Sequence, residues 1–484
     1  MVAGTGRICK KAAGVSGVPS AEAEAASGGA HPCYMRVYMA GRDGEDIPDA
    51  GYGESSRYAA HLDRGWALLD RGDLAAARTS VQHAEEVRPD DPDAAVLMGA
   101  IALAEGNPEE SLRCYERALE LDPEYLEPYL AASQVCLYDL DDPPRALRYC
   151  GEALDLEGIS PFEALELNLI AAESELSLGS DAAARARLVA LPETSELSMA
   201  LALAARGESA ASNADQDAVL SFLTEDHDGE PLEDEERVER VSRLVQLALR
   251  LARLRVDAGD PEGGLAQLER VIELFPNEAD AWYLLGEAAQ RCGEAARGAE
   301  AGLRTLELDG ALDLPRWTPS PAVLQRRVVQ ILKSAPVSAL ADLVMGERAL
   351  PILVSDQPPV ELVAEGLDPR VVVVALAGRG PSEPGEEPNL VLTGIAVYRK
   401  NLVRFAHEDA QLQAELRMSL FEELAAFLQL SAEARHELGL PPAPAPAAEG
   451  PESGSAEGGP EKPEKSEKAQ KASRRRGRRS RTLN

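Results

Sequence analysis

The chain is expected to be mainly α-helical: a solenoid of stacked helix pairs followed by a small α+β domain. Three observations lead to that expectation. Small residues and prolines recur 34 residues apart: Gly65 and Gly99, Gly72 and Gly106, Ala77 and Ser111, Pro89 and Pro123, then Ala252 and Gly286, Gly259 and Gly293, Pro276 and Gly310. Between them, apolar residues recur at helical rather than alternating spacing. Beyond Asp313 the pattern changes to short β-branched runs separated by turns and helices.

Each unit reads as two helices. In "WYLLGEAAQRCG", Trp282 and Leu285 precede Gly286, whose small size lets the first helix approach the second. Gly293 breaks the pair where a left-handed backbone is cheap for glycine alone. "YERALELDP" closes a unit at Pro123, because proline removes a helix donor. Units fall at about 58–91, 92–125 and 126–159, the third with a one-residue irregularity near Asp141 to Pro144. A degenerate unit follows at about 161–192, and two more at about 245–278 and 279–311. The period and its small residues resemble the tetratricopeptide (TPR) repeat family. The resemblance implies a solenoid that binds other proteins and performs no chemistry of its own.

Length and composition set the surroundings. The 484 residues suit roughly two to four domains, and the formal charge of −34 disfavours nucleic acid and anionic membranes as partners of the body. No apolar run is long enough to span a membrane, and "GRICKKAAGVSGVPS" lacks the apolar stretch of a secretion signal. Met39 is a candidate alternative start. Cys9, Cys33, Cys114, Cys136, Cys150 and Cys292 form no CxxC pair, so a reducing cytoplasmic location is expected. The expected organisation is a disordered segment 1–55, repeats 56–195, an acidic linker 196–240, repeats 241–312, an α+β domain 313–440 and a disordered tail 441–484. The tail ends in "SRRRGRRSR", which could contact nucleic acid or an acidic partner, or remain solvated beside its own acidic body.

In the α+β domain, "PAVLQRRVVQIL" and "VSALADLVM" read as helices, and "PILVSD", "RVVVVALAG" and "NLVLTGIAVYR" as strands. "DAQLQAELRMSLFEELAAFLQL" reads as a long helix with Leu412, Leu416, Leu420, Leu424 and Phe427 near helical spacing. The order "ILVSDQPPVEL", "VVVVALAG", "GIAVYRKNLVRFA" and a long helix resembles the minimal zincin-like metallopeptidase domain of bacteria, over about Ala322 to Leu440. That resemblance implies an edge strand at Ile395–Arg399, then a helix bearing H-E-x-x-H, then a third zinc ligand. Here the motif positions read Phe421-Glu422-Glu423-Leu424-Ala425. Phe421 and Ala425 stand where the ligand histidines would be, and only Glu422 keeps the general-base position. A zincin site needs imidazoles at i and i+4 on one helical face, so no metal or other cofactor is expected. The third-ligand region reads Ser431-Ala432-Glu433; His407 has Gln411 at i+4 and His436 has Leu440, so neither restores a pair. Glu422 then has no bound water to activate.

Other motifs yield little. "TEDHDGEPLEDEE" places Asp226, Asp228, Gly229 and Glu235 at calcium-loop positions, but Thr224 starts the loop and Pro231 interrupts it. The chain has neither a G-x-x-x-x-G-K-[ST] phosphate loop nor a G-x-S-x-G elbow.

In TPR solenoids the first helix of each pair lines the concave face. By that register the inward positions are Leu62, Trp66 and Leu69, then Val96, Ala100 and Leu103, then Leu130, Gln134, Leu137 and Tyr138. The Lys and Asn residues that clamp a carboxylate in some members are absent. The face is mostly apolar, which suits an unknown protein or an amphipathic peptide; alternatively the chain fills it with its own N-terminal segment or fourth unit. The expected function is a protein-interaction scaffold with a catalytically inactive zincin-like domain. The alternatives are a zinc metallopeptidase with a non-standard ligand set, and an adaptor whose basic tail contacts nucleic acid.

Overall fold

The computed structural model describes residues 52–191, 234–346, 349–380, 390–406 and 408–441. The N-terminal segment to residue 51, most of the calcium-loop-like stretch and of the acidic linker, and the tail from residue 442 lie outside the described residues.

The described repeats run as helix pairs: α1 (Tyr52–Asp70) with α2 (Leu74–Val87), α3 (Pro92–Ala104) with α4 (Pro108–Leu121), α5 (Leu126–Gln134) with α6 (Pro143–Leu154), and α7 (Pro161–Ser177) with α8 (Asp181–Ala190). After residue 233 come α9 (Asp234–Asp257) with α10 (Pro261–Leu274), and α11 (Ala279–Arg291) with α12 (Ala295–Ala311). Helix α9 begins inside the stretch expected to be linker. Its acidic start, Asp234-Glu235-Glu236, is what a helix N-terminus favours, and Val241 and Leu244 continue the helical spacing inward. Proline at the first turn and an Asp or Ser cap start many of the others; Ser160 and Glu163 form a reciprocal capping box on α7.

Gly106 and Gly293 turn between the helices of their pairs at φ of 79° each, a conformation that costs a side-chain-bearing residue. The third pair explains its own irregularity. Residues Val135–Asp139 form a π-helical turn, in which Leu140 N–H donates to the Val135 carbonyl. The wide turn absorbs the extra residue. Asp141, at φ 51°, then takes the left-handed position that Gly106 holds one repeat earlier.

The repeat glycines do unequal work. A Cβ on Gly65 would lie 2.7 Å from Leu97 Cδ2, and one on Gly99 would lie 2.5 Å from Tyr115 Cε1. At Gly286 the nearest atom would be the Gly298 carbonyl oxygen at 3.5 Å, an ordinary contact. Close approach is therefore required at the first two positions and not at Gly286, where Gly298 and Ala301 already leave room.

Leu165, Leu169, Ala184 and Leu188 of α7 and α8 share one apolar core with Leu244, Leu247 and Leu251 of α9 and Leu268, Val271 and Leu285 beyond it. The repeats on either side of residues 192–233 thus stack directly. Two ion pairs cross the same seam: Arg243 Nη2 to Glu166 Oε2 at 2.8 Å, and Arg250 Nε to Glu173 Oε1 at 2.8 Å.

After α12 come α13 (Pro321–Lys333), α14 (Ser338–Asp342), β1 (Ile352–Ser355), α15 (Val360–Ala364), β2 (Val373–Arg379), β3 (Leu390–Tyr398), α16 (Arg399–Val403) and α17 (Asp409–Phe427). The sheet order is β1-β3-β2. Strand β1 runs parallel to β3, with Ile352 opposite Ile395; β2 runs antiparallel, with Val373 opposite Val397 and an irregularity at Leu376/Ala377. All three strand segments read from the sequence are strands. The expected edge position of Ile395–Arg399 is corrected: Ile395 to Tyr398 lie in the central strand, and Arg399 opens α16. The reason is burial, since β3 runs from exposed Leu390 into five consecutive buried residues from Gly394 to Tyr398, as a strand paired on both sides does. Leu412, Leu416, Leu420, Phe421, Leu424 and Ala425 form the buried side of α17.

The described residues 430–441 belong to a separate unit. Its described part holds a short helix, α18 (Ala432–Glu437), capped by Ser431, whose Oγ accepts the Ala434 N–H at 3.3 Å.

Two substitutions should move stability in opposite directions. Asp141→Gly relieves a left-handed aspartate and should raise unfolding free energy by about 0.5–1 kcal/mol. Gly99→Ala forces a methyl against the Tyr115 ring and should lower it by about 1–3 kcal/mol despite the better helix propensity of alanine. Urea denaturation midpoints of the full chain check both signs.

Candidate functional site

The inner faces of the first helices are the natural place to look. Three residues before the repeat glycine stand Leu62, Val96 and Tyr283, and six before it stand Ala59, Asp93 and Asp280. In the third unit Ser133 holds the glycine place, so Leu130 and Glu127 complete the two rows.

The expected site residues divide by burial. Leu62, Val96, Ala100, Leu130 and Leu137 are buried, whereas Trp66, Leu69, Leu103, Gln134 and Tyr138 are half-buried. Trp66, Leu103 and Tyr138 pack with Val96, Leu130 and Leu137 in one apolar cluster, and Leu62 and Leu69 join Trp66 in the next. The helices stack closely enough to bury half of these residues, leaving the other half partly open. The Trp66 Nε1–H is buried without a hydrogen-bond acceptor among the described residues.

The face is also more polar than an apolar stripe. The Tyr138 hydroxyl donates to Glu173 Oε2, and Arg250 Nη2 donates to the same hydroxyl at 2.6 Å while its Nε holds Glu173. Glu127 is buried. The Tyr125 hydroxyl donates to its Oε2 at 2.9 Å, and its Oε1 has no hydrogen-bond partner. Burial pushes its carboxyl up to about 7; the Tyr125 bond opposes this and the nearby Asp93 charge adds to it.

At the last repeat the two rows meet the C-terminal module. Arg370 Nη1 lies 2.6 Å from Asp280 Oδ1, and its guanidinium carbon lies 4.6 Å from the Tyr283 ring centroid. Asp309, buried on α12, receives Arg370 Nε at 2.9 Å and Nη2 at 3.2 Å, and Arg404 Nη1 at 2.8 Å. Arg404 Nη2 also reaches Asp280 at 3.0 Å. The Tyr283 hydroxyl donates to Asp368 Oδ2 at 3.3 Å. The loop from Asp368 to Val371 occupies these positions at the last repeat. Lys400 Nζ donates to the Gly310 carbonyl at 2.6 Å and the Leu312 carbonyl at 2.5 Å, and Gln357 Nε2 to the Leu306 carbonyl at 2.8 Å.

The positions taken from the zincin resemblance are packed differently. Phe421 and Ala425 are buried on α17, and Glu422 is half-buried. The adjacent Glu423 does the observable work: its Oε1 accepts the Ala375 N–H at 2.8 Å and so covers part of the open edge of β2. Burial raises its carboxyl above the usual range, partly offset by that bond. The side chain of His407 lies outside the described residues, and His436 is exposed on α18. Among the described residues no three His, Cys, Asp or Glu side chains converge as metal ligands do, and no helix is long and apolar enough to cross a membrane. A concavity of about 360 Å³ opens between α10, α11 and α12, lined by Glu269, Glu273, Trp282, Arg297 and Glu300. Arg297 is paired there with Glu269 and Glu294.

The apolar positions of the first helices were readable from the period. Glu127, Asp280, Asp309 and the arginines that meet the last two were not singled out. A carboxylate six residues before the repeat glycine at Asp93, Glu127 and Asp280 was the available signal.

The tetratricopeptide repeat family matches residues 62–126 and 249–312, so the chain carries TPR repeats in both blocks. No curated protein matches the chain. Among solved structures it is similar to Pseudomonas aeruginosa pilF, with 15% identity, a TM-score of 0.36, and 54% of this chain and 95% of that chain covered. It is similar to PilW, described as a widely conserved type IV pilus biogenesis factor, at 15% identity and a TM-score of 0.37, covering 53% of this chain and 95% of that one. It is also similar to YrrB, described as a TPR protein with an unusual peptide-binding site, at 15% identity and a TM-score of 0.31, covering 48% and 93%.

Glu127 sets a pH dependence. Its folded-state pKa is raised, so the native chain holds the proton more tightly than the unfolded chain. Stability should therefore fall as pH rises from the ordinary carboxylate range through about 7. Glu127→Gln should flatten that slope and stabilise the chain at alkaline pH by about 1–3 kcal/mol. Denaturation midpoints of both chains across this range check the sign.

Proposed function

We propose that the chain is a protein-interaction scaffold whose TPR helices take a protein or peptide segment along their inner face. The observation behind this reading is the row of half-buried apolar residues Trp66, Leu69, Leu103 and Tyr138, with a buried indole donor left over at Trp66. An amphipathic or extended segment would add apolar contact to that row and supply an acceptor. The proposed functional division sets the repeats, resumed at α9 (Asp234–Asp257), apart from the module that follows α12. Cys136 and Cys150, buried as free thiols in the repeat core, suit a reducing compartment such as the cytoplasm.

The module at 313–440 is proposed to be a zincin-like domain used for its shape. Its three-stranded sheet and following long helix support the comparison. The residues present do not fit a zinc ion: Phe421 and Ala425, four apart on α17, are buried and offer no lone pair. No catalytic step is assigned to Glu422.

Two measurements test these readings. Leu69→Glu with Leu103→Glu changes half-buried positions and spares Leu62, Leu130 and Leu137, whose burial makes charge there a folding lesion. The double variant should keep its helical circular dichroism and lose its partners in affinity capture; retention of the same partners would show that the inner face is not the binding side. Elemental analysis of the purified chain should give no stoichiometric zinc. One zinc per chain, lost on substituting Glu422 or His436, would restore the peptidase alternative.

A further inference from the structure

The equivalents of Leu62 and Val96 are apolar in the early repeats, but in the last repeat the same place is Tyr283, and the row beside it holds Asp280. Asp309 of α12 completes a recess with an aromatic floor and two carboxylates. What fills it is a guanidinium. Arg370 presents Nε and Nη2 to the two oxygens of Asp309 at 2.9 and 3.2 Å, Nη1 to Asp280 at 2.6 Å, and its face to Tyr283 at 4.6 Å. The paired acceptor oxygens of Asp309 read the planar fork of arginine, and the ring reads its flat cation. The ammonium of a lysine could satisfy neither in full. The segment carrying Arg370 is shaped for delivery: Asp368 Oδ1 accepts the Arg370 N–H at 2.8 Å, and Asn401 Nδ2 donates to the Pro369 and Val371 carbonyls at 2.9 and 2.8 Å.

We propose that Asp280, Tyr283 and Asp309 form an arginine-binding subsite at the end of the repeat stack, and that Arg370 is its resident occupant. The ligand class is an arginine-bearing peptide segment, which would enter when the Asp368–Val371 loop withdraws. Partner binding at the last repeat and seating of the Asp368–Val371 loop are then alternatives. The interface is suited to exchange because charged groups hold much of it; such intrachain seams move more readily than apolar ones. Arg404 remains beside Asp309 when Arg370 leaves, so the buried carboxylate keeps a counter-charge. The inference rests on the inner helix faces being the ligand side of the repeats.

The test uses the full chain with Arg370→Ala and two small probes, methylguanidinium and methylammonium, at matched ionic strength. The variant should melt below the parent. Methylguanidinium should restore most of that shift saturably, methylammonium should not, and the parent should gain nothing from either. Adding Asp280→Asn to the variant should abolish the rescue. Equal effects of the two cations, or rescue that survives Asp280→Asn, would overturn the subsite. If Arg370→Ala does not fold, Arg370→Lys keeps the charge and stem; amide exchange over residues 279–291 and 366–372 should still quicken, and exchange equal to the parent would overturn the proposal. No partner enters these measurements. Rescue without loss of capture in the Leu69→Glu, Leu103→Glu chain would leave the subsite standing and the scaffold reading fallen, and the reverse pair of results would do the opposite.

Discussion

A single helix pair of this kind cannot bury its own apolar face, and everything else in the chain follows from that constraint. Leu97 of α3 needs the space left by Gly65 of α1, and Gly99 of α3 needs Tyr115 of α4 to lie flat against it. Each repeat is thus completed by the next, and the stack must be closed where repeats stop. On α12 the open face is met at Gly302, where a Cβ would lie 3.3 Å from Val363 and 3.8 Å from Pro369. Helix α15 and the loop after it stand where another first helix would pack. Helix α15 and the following loop thus cover this part of the last helix pair.

Polar burial is concentrated at two seams, and both join parts distant in sequence. At the first, Glu166 and Glu173 of α7 meet Arg243 and Arg250 of α9. At the second, Asp280 and Asp309 meet Arg370 and Arg404. Removing such charges from water costs several kcal/mol per ion, so these clusters contribute less than apolar packing of the same volume. What they do contribute is geometry: a bidentate arginine fixes angle and register together. Both seams sit where the regular 34-residue packing is interrupted, first by the residues between α8 and α9, then by the change from repeats to sheet.

That division accounts for what the sequence disclosed. Positions fixed by local backbone chemistry were legible: Gly106 and Gly293 at the pair turns, Pro123 at a unit end, the three strand segments, the leucine row of α17. The one-residue irregularity near Asp141 was visible, but its resolution as a π-helical turn was not, because either helix could have absorbed the extra residue. The strand order was hidden, since β1 and β3 pair in parallel across an intervening helix and strand. The inner-face residues were placed on one face, yet their burial depends on how tightly neighbouring repeats stack, which no single repeat encodes. Arg250 and Glu173 are 77 residues apart, and Arg404 and Asp280 are 124 apart. Charges that separated carry no periodic signal and read as ordinary surface.

The choice of cation sharpens the point. Between residues 52 and 441, Lys333 and Lys400 are the only lysines, in a chain with 83 acidic residues and 49 basic ones. An acidic body repels itself, and any cation that offsets this repulsion would serve a purely electrostatic need. The arginines do more. Arg78 joins Glu105 and Glu110 across a repeat boundary, Arg145 reaches Glu116, Arg117 reaches Glu85, and Arg291 reaches Asp257. Each links one helix pair to its neighbour through a side chain long and planar enough to hold a carboxylate while its stem lies on the helix between them. Partly exposed pairs of this sort are individually weak. Repeated at successive boundaries, they favour the 34-residue register over a slipped one, because a slip would misplace all of them at once. Lys400 marks the exception: among the described residues it meets no carboxylate, only the carbonyls at the end of α12, where a point charge without a fork suits the helix dipole.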